Sequence, residues 1–74
     1  MSFRDEMKTE LDHAESLYPG YHSYHEAYAV ILEELDEFWD IVRQKDSERD
    51  PVHARKELLQ IAVTAWRAVR DLEL

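Results

Sequence analysis

Apolar side chains recur along this chain every three or four residues, the period of an α-helix, and the strict alternation of a strand is absent. Phe3, Met7, Leu11, Ala14 and Tyr18 form one such stripe and predict a first helix over about 2–17. Ser2 stands at its start as a cap, with Asp5 three residues on. Tyr18-Pro19-Gly20-Tyr21-His22 reads as a turn, because Pro-Gly does not continue a helix. Ser23-Tyr24-His25-Glu26 is a capping box and opens a second helix over about 24–45. Tyr28, Ile31, Leu35, Phe38 and Val42 are its expected core stripe. After a short polar connection, Asp50-Pro51 supplies a cap and a first-turn proline for a third helix over about 51–72. The chain is expected to be all-α, one domain of three helices over 1–74. Its short second connection makes the last two helices an antiparallel hairpin.

The third helix is apolar around most of its circumference, with one narrow polar stripe of His53, Glu57, Gln60, Thr64, Arg67 and Asp71. Such a helix is a buried one, and two short companions cannot surround it. A chain of 74 residues without cysteine has a thin core and no disulfide to reinforce it. Both points predict a homo-oligomer, a dimer or tetramer assembled as a helical bundle. Leu59, Val63 and Trp66, with Leu32 and Trp39, are the expected intersubunit contact. The net charge of −8 disfavours nucleic-acid polymers and anionic membranes as partners. No apolar run reaches membrane-spanning length, and the first residues lack the basic-then-apolar pattern of a signal peptide. A cytoplasmic location is the expectation.

The chemistry concentrates in residues 31–40, where five of ten side chains are carboxylates. At about 100° per residue, Val30, Glu34, Glu37 and Ile41 share one sector about 60° wide. In the antiparallel hairpin, Glu34 and Glu37 lie opposite Glu57 and Gln60, each pair three residues apart on one face. Three carboxylates and an amide oxygen around a small volume suit Mg²⁺ or Mn²⁺. Glu33 or Glu37 is then a general base or a further ligand. The competing reading makes these acids the solvated face of an amphipathic helix. Arg67, Lys56, His22 and Tyr24 are candidate substrate contacts: two cations for phosphate, two rings for a base. Arg67 is otherwise expected to pair with Glu33 or Glu37, and Lys56 and Arg55 to face solvent. Tyr18 and Tyr28 are expected at core edges. Thiol chemistry is excluded, and one glycine leaves no glycine-rich phosphate loop.

Glu33-Glu34-Leu35-Asp36-Glu37 resembles the E-E-x-x-E motif of the MazG-like, all-α nucleoside triphosphate pyrophosphohydrolases. Glu57-Leu58-Leu59-Gln60 stands where that family has E-x-x-D. The stretch from His25 to Trp39 is similar to short, phage-type members, and the resemblance covers about 18–72. It implies an oligomeric helical bundle and Mg²⁺-dependent hydrolysis of a (d)NTP to (d)NMP and pyrophosphate. It places Glu34, Glu37, Glu57 and Gln60 at the metal positions and Glu33 at the motif's first carboxylate. Gln60 departs from the family aspartate and brings no negative charge, so cation affinity should fall. The fourth helix of larger members has no counterpart. A catalytically inactive helical module that binds nucleotide or protein is the alternative, and an acidic bundle without a ligand is a third.

Overall fold

Local signals set the helix ends. In a computed structural model that describes residues 2–74, the chain forms α1 (Phe3–Leu17), α2 (Tyr24–Val42), a single 3₁₀ turn (Asp46–Glu48) and α3 (Pro51–Asp71). No strand occurs among the described residues, and Met1 of the expected domain lies outside them. Each α-helix is capped as its sequence predicts. Ser2 Oγ accepts from Asp5 N, Ser23 Oγ from Glu26 N and Asp50 Oδ1 from Val52 N. At α2 the reciprocal half of the box falls one residue early, since the Glu26 carboxylate accepts from His22 N at 3.1 Å. α2 ends at Val42, three residues short of the expected boundary. Arg49 accounts for the stop: its guanidinium donates to the Val42 carbonyl and to Asp46, fastening the connection beneath the helix end.

The helices run up, down and up. α3 packs against both α1 and α2, and those two do not pack against each other. α1 rests on α3 through buried Leu11, with Phe3, Met7 and Ala14 half-buried beside it. Two ion pairs flank that contact, Glu6–Arg55 and Glu15–Arg70. Arg55 also stacks 5.0 Å from the Phe3 ring centroid and holds the Glu6 carboxyl below the usual carboxylate range. Between α2 and α3 the core is built on small residues, Ala27 and Ala68, with Tyr21 from the connecting loop. Gly20 lets that loop lie on the end of α3: a Cβ there would come within 3.2 Å of the Asp71 carboxylate. Asp71 in turn accepts from Tyr21 N at 3.0 Å.

Three expectations are corrected. The inward face of α2 is Ala27, Val30, Ile31, Glu34, Phe38 and Ile41, rotated roughly 60° from the expected stripe at about 100° per residue. Tyr28 (68% exposed) and Leu35 (46%) therefore face outward. The second correction concerns the tyrosines. Tyr18 is exposed like Tyr28, whereas Tyr21, expected to cover a turn, is buried. The third concerns α3. Val63, expected at an intersubunit contact, is the most buried large side chain within the chain (1% exposed). The polar stripe of α3 faces inward: Thr64 and Arg67 are buried and Glu57, Gln60 and Asp71 half-buried, while Leu58, Trp66 and Val69 are exposed.

The α2 cap carries a measurable share of this arrangement. Ser23→Ala should lower stability by about 1 kcal/mol, a fall of about 4–8 °C in Tm for a domain of this size. Ser23→Asp should restore it. Thermal melts followed by circular dichroism decide, and equal Tm values for all three proteins would show that the cap is not used.

Candidate functional site

Because α1 and α2 stand apart on α3, a groove of about 570 Å³ runs between them. Glu10, His13 and Leu17 line it from α1, and Val30, Glu33 and Glu34 from α2. Its floor is the inward polar stripe of α3, Gln60, Thr64 and Arg67, together with Val63.

The hairpin brings three of the expected ligands together. One carboxylate oxygen each from Glu34, Glu37 and Glu57 lies within 4.8 Å of the others. Glu34 and Glu37 share a face of α2 because they are three residues apart, and the antiparallel pairing sets Glu57 of α3 opposite them. Burial, then the neighbouring charge of Glu37, pushes the Glu34 carboxyl up to about 7. Glu57 is also raised, by burial and by its contact with Glu37, against the lowering effect of His53 and Lys56. His53 Nε2 lies 3.6 Å from Glu57 on the solvent side. Glu34 Oε2 and Glu57 Oε2 are buried with no hydrogen-bond partner among the described residues. Such atoms are costly unless something accepts their lone pairs. Hard, oxygen-only donors fit Mg²⁺ or Mn²⁺. Bonds of about 2.1 Å hold ligand oxygens no more than about 4.2 Å apart, so small side-chain rotations close the set.

The other expected site residues are placed differently. Gln60 lines the groove, but its amide is turned toward α1 and donates to Glu10 Oε1 at 3.0 Å. Glu33 is exposed on the α2 wall. Arg67 pairs with neither Glu33 nor Glu37. It is buried, and its terminal nitrogen donates to the carbonyls of Pro19 (2.9 Å) and Tyr18 (3.5 Å). The backbone turn before α2 offers those carbonyls at the end of α3, whereas Glu37 lies beside Glu57, ten residues of α3 away. Lys56, His22 and Tyr24 are exposed and do not line the groove. Sequence reasoning missed Glu10, His13 and Tyr21. The 3-4 spacing of Glu10, His13 and Leu17 on α1 was the available signal for the first two.

No family model, curated protein or solved structure matches this chain.

The carboxylate cluster predicts a pH dependence of known sign in chelating buffer. Folded Glu34 keeps its proton up to about 7, whereas an unfolded carboxyl loses it near 4.5. The contribution of Glu34 to stability is thus full below that lower value and is lost as pH rises toward about 7. Glu34→Gln imitates the protonated form. Its Tm advantage over the native chain should grow between pH 5 and pH 8, by about the span of this titration. A constant difference across that range would refute the assignment. Added Mn²⁺ should raise the native Tm at pH 8 and leave the variant unmoved.

Proposed function

We propose that this chain is a Mg²⁺-dependent (Mn²⁺-tolerant) nucleoside triphosphate pyrophosphohydrolase that converts a (d)NTP to (d)NMP and pyrophosphate. The observation that carries the reading is the convergence of Glu34, Glu37 and Glu57 beside a groove large enough for a small ligand. It agrees with the E-E-x-x-E pattern in α2 and the glutamate one helix later. When bound there, the cation neutralises charge on the phosphoanhydride oxygens. Glu34, Glu37 and Glu57 would hold it, and the Gln60 amide would have to leave Glu10 to join them. Glu33, on the groove wall, takes one proton from the attacking water. The water oxygen bonds to the α-phosphorus, the bond from that phosphorus to the bridging oxygen breaks, and pyrophosphate leaves with the electron pair.

One observation favours the inactive helical module as a second reading. The Gln60 amide is engaged by Glu10 rather than by the cluster, and as a neutral group it would leave a cation one anionic ligand short even if it turned back. Pyrophosphate release from a panel of NTPs and dNTPs tests both. Release with Mg²⁺ or Mn²⁺ that Glu34→Gln reduces by at least about 100-fold supports the enzyme, as for loss of a group acting on the reacting phosphate. Silence in the native chain together with activity in Gln60→Asp would identify a site short of one ligand. Silence in both leaves the module as the reading.

The same proposal includes a homo-oligomer. Tyr28, Leu32, Leu35 and Trp39 form a 4-3-4 stripe on the outer face of α2, all exposed, and Leu58, Trp66 and Val69 are exposed on α3. Large contiguous apolar surface of this kind marks an interface. In sedimentation experiments the native chain should run as a dimer or tetramer, and Leu35→Lys with Trp39→Glu should run as a monomer. A native monomer at high concentration would refute the assembly.

A further inference from the structure

The Arg67 end of the groove holds two buried donor atoms without a hydrogen-bond partner among the described residues, although Glu26, Glu34 and Asp71 stand near Tyr21. Arg67 is only 5% exposed and forms no ion pair among the described residues. Its terminal nitrogen is fixed by the Pro19 and Tyr18 carbonyls, and its guanidinium carbon lies 5.0 Å from the Tyr21 ring centroid. Those contacts immobilise the guanidinium and leave Nε without a hydrogen-bond partner among the described residues. Tyr21 is 7% exposed, and its hydroxyl has no partner either. Both side chains line the same groove as Glu34. A guanidinium is always charged, and a buried charge is stable only when paired. A ligand that completed this end would be an oxyanion.

A free anion is not that ligand. Glu10, Glu26, Glu33 and Glu34 all line the groove, and their field repels an uncompensated phosphate. Arg67 lies ten residues beyond Glu57 on α3, about 15 Å along the axis, so a ligand that meets both ends of the groove is longer than a single phosphate.

We propose that Arg67 Nε–H and Tyr21 O–H form an oxyanion subsite for one end of a polyphosphate chain whose other end is held through a cation at Glu34, Glu37 and Glu57. The proposal rests on the cation-site reading and adds where the far phosphate goes. No covalent step is involved.

The test is calorimetric titration of the full chain with Mn²⁺ alone, then with inorganic tripolyphosphate at saturating Mn²⁺. Tyr21→Phe removes only an unpartnered hydroxyl. Its Tm should equal or exceed that of the native chain, and its Mn²⁺ affinity should be unchanged. Its tripolyphosphate affinity should fall about tenfold or more, as for a lost hydrogen bond to a charged group. Arg67→Lys keeps the charge, loses Nε–H and should weaken tripolyphosphate likewise; should it fail to fold, Tyr21→Phe decides alone. Equal tripolyphosphate affinity in the native chain and Tyr21→Phe, with Mn²⁺ bound in both, overturns the subsite and leaves the cation site standing. Tripolyphosphate binding that is as tight without Mn²⁺ also overturns it. Absence of Mn²⁺ binding, or Mn²⁺ binding indifferent to Glu34→Gln, overturns the cation site and the subsite together.

Discussion

Everything in this molecule depends on α3 turning its polar stripe inward. Glu57, Gln60, Thr64 and Arg67 face the two other helices, while Leu58, Trp66 and Val69 look outward. A buried polar stripe must find partners within the chain, and most of it does: Thr64 Oγ1 donates to the Ile61 carbonyl, Gln60 to Glu10 and Arg67 to the loop carbonyls. Of the orphan atoms among the described residues, those of Tyr21, Glu34 and Arg67 belong to residues that line one groove, and that of Glu57 lies in the carboxylate cluster beside it.

The spacing between helices follows from the same choice. Ala27 and Ala68 let the backbones of α2 and α3 come close, and carboxylates about two to three turns further along meet across the hairpin. Tyr21 is drawn beneath the loop by the Asp71 carboxylate, and Arg67 stacks on it. Loop, floor and wall thus share side chains, which couples the shape of the groove to the start of α2.

Helix starts and their caps were legible in the sequence because they depend on neighbours within four residues: Ser2, Ser23 and Asp50 each cap as read; the end of α2 was not, because Arg49 acts on it from seven residues away. The meeting of Glu34, Glu37 and Glu57 was legible too, since the spacing puts two on one face and a short connection fixes the third. The inward face of α2 was not. Tyr28 and Leu35 outrank Ala27 and Glu34 in hydrophobicity, but close helix approach selects the small residue, and that preference exists only once α3 is in place. The Gln60 amide was misread for a similar reason, its partner Glu10 lying fifty residues away on another helix. Tyr21 belonged to a turn that local chemistry reads as surface.

The attachment of α1 carries one further consequence. Buried Leu11 with half-buried Phe3, Met7 and Ala14, two ion pairs with partly exposed partners, the Arg55–Phe3 stack and the Gln60–Glu10 hydrogen bond hold it to α3, whereas α2 and α3 share the apolar core. Exposed ion pairs weaken as salt shortens the range of charge attraction, to about 8 Å at physiological ionic strength. Regions with few buried contacts open at lower free energy than the rest of a domain. The first helix is thus expected to exchange its amides with solvent before the hairpin does. Of the two walls of the groove, the one that α1 supplies is the one whose hold on the floor weakens with added salt.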